Sequence, residues 1–247
     1  MTIEFLSVAE GSIAYQRQVG NKNFPGIIFL SGFASDMEGT KAVFLSERAA
    51  EHVIPFIRFD YRGNGRSTGK FSEGTIGAWF EDCLAVFDQL TDGPQIVVGS
   101  SMGGWLGLLL AKARPERIKA FIGIAAAPDF TEDLIWDKLT TTQRDALLRE
   151  GEISENNAPP DQRKPITLKL IEEARAHLVL RDPLPLSCPV RLLQGMQDKD
   201  VPWKHAERLA EHINQDDVQV TLIKNADHRL CTPQNLDLLW KTITAFV

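Results

Sequence analysis

Short apolar runs rich in β-branched residues alternate along this chain with stretches whose apolar positions fall three and four residues apart. Gly26-Ile27-Ile28-Phe29-Leu30, Phe56-Ile57-Arg58-Phe59-Asp60, Gln95-Ile96-Val97-Val98 and Ala120-Phe121-Ile122-Gly123-Ile124-Ala125 are of the first kind, as are Val190 to Leu193 and Val218 to Ile223. Most carry little polar alternation, the pattern of strands buried on both faces. Between them, Ile76 to Leu90 spaces Trp79, Phe80, Cys83, Val86, Phe87 and Leu90 as a helix does. Leu106 to Ala111 and Trp203 to Ile213 read as helices too, another is expected to begin near Glu38 or Gly39, and a last one carries Leu236, Leu239, Trp240, Ile243 and Phe246. Ile3 to Val8 and Ser12 to Gln16, parted by Glu10-Gly11, read as an antiparallel hairpin. These segments predict an α/β fold: a mainly parallel eight-stranded sheet with helices on both faces and antiparallel strands at one edge.

One stretch breaks the rhythm. Phe130 to Leu186 carries two helical patterns, around Leu134-Ile135-Trp136-Leu139 and Ile166-Leu170-Ile171-Ala174, separated by the polar, proline-bearing Ser154 to Pro165. No strand is expected there, and the stretch is too long for an ordinary connection. It predicts a small helical cap, residues 130–186, inserted into a single domain spanning 1–247. The plainer alternative is one more covering layer.

Composition narrows the function classes. With 247 residues, 43% of them hydrophobic, the chain can bury a full core. A net charge of −6 argues against a nucleic-acid or anionic-membrane surface. No apolar run approaches the ~20 residues of a membrane span. Cys83, Cys188 and Cys231 are odd in number, far apart and without metal-ligand spacing, so reduced thiols are expected and no metal or cofactor.

The chemistry gathers at Gly99-Ser100-Ser101-Met102-Gly103, where an apolar strand runs into a sharp turn and then a helix. A serine at the tip of such a turn stands clear of the sheet, and its neighbours two positions away must be small. A Gly-x-Ser-x-Gly match arises by chance in about one chain of this length in ten. Gly65-Arg66-Ser67-Thr68-Gly69 matches as well, but in a polar loop with no helical pattern after it. Context therefore selects Ser101 as the candidate nucleophile, with the Met102 amide, at a helix start, placed to stabilise negative charge.

A neutral serine needs a base, and the base needs an orienting acid. Ligand sites of open α/β sheets lie outside the carboxyl ends of strands. Among the histidines, His228 follows the last strand, His52 lies near the end of an early helical pattern, and His177, His205 and His212 fall on predicted helices. Asp198 comes first in the loop after Val190 to Leu193 and is the candidate acid. Asp200 reads as a solvated carboxylate, and Asp129, after another strand, is the rival position or a helix cap with Thr131. The second oxyanion amide is expected from the turn after Gly26 to Leu30, at Phe33.

The order Ser101, Asp198, His228, with Ser31-Gly32-Phe33, Asp60-Tyr61-Arg62-Gly63-Asn64-Gly65-Arg66-Ser67, Gly195 to Pro202 and Asp227-His228, resembles the α/β-hydrolase family over nearly the whole chain. Gly32-Phe33-Ala34-Ser35-Asp36-Met37, Gly39-Thr40-Lys41-Ala42 and Gly74-Thr75-Ile76 with Trp79 resemble one branch of it, which holds a mitochondrial palmitoyl-protein thioesterase that also hydrolyses acyl glucuronides, and bacterial hydrolases and carboxylesterases. The resemblance implies hydrolysis of a thioester or oxyester through an acyl-enzyme, with Ser101, Asp198 and His228 as nucleophile, acid and base, and Phe33 and Met102 as oxyanion donors. The expected partner is a small-molecule or acylated-protein substrate. The N-terminus, Met1-Thr2-Ile3-Glu4-Phe5, has no leader-like character, so a bacterial-type cytoplasmic location is expected, or a mitochondrial matrix if a leader has been removed.

Leu134, Ile135, Trp136 and Leu139, with Trp105 or Met37 below, are expected either to line an apolar acyl channel or to form a packed interface between cap and core. Cys231, three residues past His228, is either an oxidant-sensitive group at the site or simply packed. Carbon–carbon bond hydrolysis, peroxidation and non-catalytic ligand binding are the other functions that such a scaffold supports.

Overall fold

The computed structural model describes residues 2–153 and 164–247. Eight strands form one sheet: β1 (Glu4–Val8), β2 (Gly11–Gln18), β3 (Gly26–Leu30), β4 (Phe56–Phe59), β5 (Gln95–Ser100), β6 (Ile118–Ile124), β7 (Val190–Gly195) and β8 (Val218–Ile223). Their spatial order is β1-β2-β4-β3-β5-β6-β7-β8. The β1–β2 and β2–β4 pairs are antiparallel and the rest parallel, as the alternation of strand and helix patterns predicts.

Alternate residues of the central strands feed two cores. Ile28, Leu30, Val97 and Phe121 face one side, with Trp79 and Phe87 of α2 (Ile76–Leu90) and Trp105 and Leu106 of α3 (Met102–Ala113). Ile27, Phe29, Ile96, Val98 and Ile122 face the other, with Ala42 and Leu45 of α1 (Thr40–Glu51) and Leu239 and Ile243 of the C-terminal helix Pro233–Thr244. Both faces of each strand are therefore dry, which is why these segments read as continuous apolar runs. Truncating Phe121, fully buried, to alanine should cost about 3–5 kcal/mol.

Register sets where the chemistry can occur. Leu30 pairs with Gly99, Ser100 with Ile124, and Gly195 with Ile223. The turns after β3, β5, β6, β7 and β8 consequently leave the sheet along one rim.

Residues 130–186 depart from the sequence expectation in detail. The pattern around Leu134 to Leu139 forms a π turn, Thr131–Ile135, and a 3₁₀ turn, Trp136–Lys138. The regular helix follows them, α4 (Thr141–Glu150), set by a capping box between Thr140 and Gln143 and ended by left-handed Gly151. It buries only Leu147, so no apolar stripe announces it. The second pattern is α5 (Leu168–Ala174). Contrary to the expectation of no strand, Glu152–Ile153 pairs with Ile166–Thr167, and Leu184–Pro185 pairs with Ile213–Asn214. Two residues are too few to leave a pattern. Most of the polar stretch expected at Ser154 to Pro165 lies outside the described residues.

Candidate active site

Ser101 sits between β5 and α3 with φ 54° and ψ −119°, a conformation that side chains rarely adopt. Its N–H donates to the Ile124 carbonyl at 2.9 Å, and its carbonyl accepts from the Gly104 and Ala127 amides at 2.8 and 3.0 Å. The turn is so tight that a Cβ at Gly99 would overlap the Gly103 carbonyl, and one at Gly103 would overlap the carbonyl of Leu30. Met102 is the first residue of α3, so its amide has no intrahelical acceptor.

The histidine and the aspartate chosen from the sequence meet this serine. His228 Nε2 lies 3.1 Å from Ser101 Oγ, and His228 Nδ1 lies 2.8 Å from Asp198 Oδ2. A carboxylate only accepts, so Nδ1 carries the proton and Nε2 is left to accept one from the hydroxyl. The Asp198 side chain is 0% exposed. Its carboxylate also accepts from Gln194 Nε2 and from the Asp200 and Val201 amides, each at 2.9 Å. Burial pushes this carboxyl up, but the hydrogen bonds from His228 and the two amides outweigh it and hold the group below the usual aspartate range.

The rival groups are engaged elsewhere. Asp129 is buried, and its carboxylate accepts from the Val179 and Leu180 amides at 2.8 and 2.9 Å, tying the two ends of the 130–186 segment together. His205 Nε2 lies 2.8 Å from the Pro128 carbonyl, and burial pulls its pKa down. His177 pairs with Glu173, while His52 and His212 bond to the carbonyl one helical turn back. Ser67, in the second Gly-x-Ser-x-Gly match, donates to the Asp60 carbonyl at 2.6 Å and accepts from the Ala14 amide at 2.8 Å, a purely structural role.

The turn after β3 faces the serine: a Cβ on Gly32 would lie 3.3 Å from Ser101 Cβ. Phe33 follows it, packing on Phe71, Trp79 and Phe130 at 5.0, 6.0 and 5.8 Å. Residues without a role in the sequence reading fix this turn from beneath. Tyr61 Oη donates to the Ser31 carbonyl at 3.2 Å, Asp60 Oδ1 accepts from the Met37 amide at 2.7 Å, and Arg58 donates to the Met37 carbonyl at 2.6 Å. The family-like stretch starting at Asp60 was a signal for Asp60 and Tyr61, while Arg58 lies before it within a strand.

Beside Ser101 and His228 lies a cavity of about 200 Å³, also lined by Phe33, Lys41, Arg229 and Cys231. Neither Met37 nor Trp105 lines it. Both are fully buried: Met37 is turned inward by the two bonds to its backbone, and Trp105 packs on Phe130 while its Nε1 donates to the His177 carbonyl at 3.0 Å. Leu134, Ile135, Trp136 and Leu139 are half-buried and likewise do not line it. Leu134 and Ile135 pack on the core, and the guanidinium groups of Arg144 and Arg175 lie 5.1 and 5.0 Å from the Trp136 ring centroid. Asp198, Asp200 and His228 offer ligand atoms within 4.8 Å of one another, the spacing of a metal site, but the hydrogen bonds of Asp198 already account for the cluster.

Residues 27–237 match the sequence profile of the alpha/beta hydrolase family. The chain belongs to that family. It is 42% identical to the mitochondrial palmitoyl-protein thioesterase ABHD10 of Rattus norvegicus, over 98% of this chain and 81% of that protein. Among solved structures it resembles alpha/beta hydrolase domain-containing protein 10 from mouse, with a TM-score of 0.90 and 40% identity over 99% of this chain and 98% of that one. A protein from Agrobacterium vitis S4 superposes with a TM-score of 0.93 and 39% identity, each chain covered completely at 100%. In this α/β hydrolase, no helix among the described residues is long and apolar enough to cross a membrane.

Proposed function

We propose that this α/β hydrolase is a serine hydrolase that cleaves carboxylic ester or thioester bonds of acylated substrates. The observation that carries the reading is the unbroken line of hydrogen bonds from Asp198 through His228 to Ser101. The rat relative's name, palmitoyl-protein thioesterase, agrees with it.

In this mechanism Ser101 Oγ attacks the acyl carbon as its proton passes to His228 Nε2. Asp198 keeps the imidazole in the right tautomer and stabilises its cationic form. The Phe33 and Met102 amides receive the oxyanion. The carbon–sulfur or carbon–oxygen bond then breaks, and His228 returns the proton to the departing thiol or alcohol. Water, deprotonated by His228, cleaves the acyl-enzyme and frees the acid. The mechanism calls on no metal or cofactor.

Residues 130–186 are proposed as a cap. Asp133 pairs with Arg181 within it and anchors it, at 2.6 Å, through Arg208 of α6 (Trp203–His212), and Gly77 of α2 donates to Glu173 at 3.1 Å. The aromatic group from Phe33 to Phe130 leads toward that cap, so an apolar acyl chain is proposed to lie on this side, with Leu134, Ile135, Trp136 and Leu139 as its outer wall. The proposed compartment is a reducing one, cytoplasm-like or a mitochondrial matrix, which fits three cysteines in free thiol form.

The test is turnover of p-nitrophenyl esters and acyl thioesters of increasing chain length by wild type and Ser101→Ala. The variant should lose several orders of magnitude in kcat, and medium-to-long chains should be preferred. Near-normal hydrolysis by the variant would refute the nucleophile, and a preference for acetyl alone would refute the acyl wall.

A further inference from the structure

We infer that Lys41 is a positioning residue for the imidazole of His228: reaching from the first turn of α1, its ammonium holds the loop that carries that histidine. The inference rests on the reading above, in which His228 is the base.

The loop between β8 and the C-terminal helix is fastened differently on its two sides. Before His228, the turn after β7 grips it. The Gln197 amide donates to the Ala226 carbonyl at 2.9 Å, and Gly195 packs so closely that a Cβ there would lie 2.6 Å from the Asp227 carbonyl. After His228 the loop mostly bonds to itself, with the Asp227 carboxylate accepting from the Arg229 and Leu230 amides at 3.1 and 3.2 Å and the Arg229 carbonyl accepting from Cys231 Sγ at 3.1 Å. Among the described residues, the hydrogen bonds that reach residues 229–231 from another element come from Lys41. Its Nζ donates to the Arg229 carbonyl at 2.6 Å and lies 3.8 Å from Cys231 Sγ. Leu230, buried and left-handed at φ 46°, fixes the depth of this segment, and the carbonyl before it is aimed by the ammonium of Lys41 with the weaker thiol donor of Cys231 beside it.

That carbonyl belongs to the residue directly after His228, so its displacement passes to the imidazole through a single peptide unit. The Nε2–Oγ separation is 3.1 Å, near the long end of the ~2.6–3.2 Å over which such a base works. Little slack is left. Lys41 also lines the cavity, where burial lowers its pKa and the nearby thiol of Cys231 raises it in part. An ammonium that gives up hydration for one short bond to a carbonyl has that carbonyl as its main structural task.

The test compares wild type with Lys41→Met, Lys41→Ala and Lys41→Arg by steady-state kinetics and by the rate of labelling with a small, neutral fluorophosphonate. Labelling needs the base but no substrate contact. Lys41→Met should lower kcat about 10- to 100-fold, leave KM within about twofold and slow labelling by the same factor as kcat. Lys41→Arg should regain most of that loss, and added propylamine should partly rescue Lys41→Ala, even if Lys41→Met folds poorly. Cys231→Ala, which removes the weaker thiol donor to the same carbonyl, should lower kcat and labelling less than Lys41→Met does. A raised KM with unchanged kcat and unchanged labelling would overturn the inference and make Lys41 a substrate contact. Loss of activity that only tracks the loss of folded protein, with no rescue by amine, would overturn it as well. A wild type that neither labels nor hydrolyses would instead refute the proposed chemistry, and the role of Lys41 with it.

Discussion

Replacing Asp198 with asparagine exchanges one acceptor oxygen for an NH₂ and changes little else in volume. The carboxylate now serves four donors: Oδ1 takes the Asp200 and Val201 amides, and Oδ2 takes Gln194 Nε2 and His228 Nδ1. An asparagine keeps both backbone bonds only if its oxygen stays at the first position, which turns its NH₂ toward His228. The opposite flip leaves two amide donors facing an NH₂, at about 1 kcal/mol or more for each. With a donor facing Nδ1, the imidazole must take the other tautomer, placing N–H on Nε2 against the Ser101 hydroxyl. The base is then unable to accept the proton. Loss of a correctly oriented tautomer in such a constellation is worth about 10⁴ in kcat, or roughly 5.5 kcal/mol of barrier. The assay is kcat on a p-nitrophenyl ester, with thermal unfolding to confirm the fold. Asp200→Asn, altering an exposed side chain, should stay within about twofold of wild type. An Asp198→Asn enzyme within tenfold of wild type would refute the assignment of the acid.

Gly103→Ala would press a Cβ on the Leu30 carbonyl, at the end of β3, and bring it within 2.6 Å of the Ser31 carbonyl, which opens the turn that carries Phe33. We expect about 1–3 kcal/mol of destabilisation and about 10²-fold lower kcat; a variant matching wild type in both kcat and unfolding midpoint would contradict the proposed elbow. Asp82 is pushed up to about 6 by burial, against the pull of the Arg62 amide at 2.8 Å and its guanidinium at 2.5 Å. A carboxyl that binds its proton more tightly folded than unfolded stabilises the fold fully below ~pH 4 and gives that up as pH rises through its folded value, up to about 3 kcal/mol here. Urea unfolding should therefore show wild type losing stability relative to Asp82→Asn between pH 4 and pH 6, and parallel curves would show the carboxyl to be unperturbed.

The sheet was legible because its central strands are buried on both faces, so Ile27-Ile28-Phe29-Leu30 and Ile96-Val97-Val98 carry their burial in their composition. The meeting of Ser101, Asp198 and His228 was legible because each follows a strand, and parallel register carries those strand ends to one rim. Residues 130–186 were less legible. Helix α4 is set by Thr140, Gln143 and Gly151 rather than by an apolar stripe. Met37 and Trp105 could not be placed from spacing, since their directions depend on Asp60, Arg58 and His177, which are distant in sequence. Lys41 stood out only as part of the family-like Gly39-Thr40-Lys41-Ala42, and its role left no pattern, because its partner carbonyl lies 188 residues away and belongs to the backbone.

Everything proposed for this site depends on the hydroxyl at position 101 being the reactive group. It is tested most directly by treating the protein with a fluorophosphonate and locating the adduct by peptide mass spectrometry. A single stoichiometric adduct is expected on the peptide holding Ser101, absent in Ser101→Ala and strongly slowed in Asp198→Asn. An adduct on another residue, or undiminished labelling of Ser101→Ala, would contradict it.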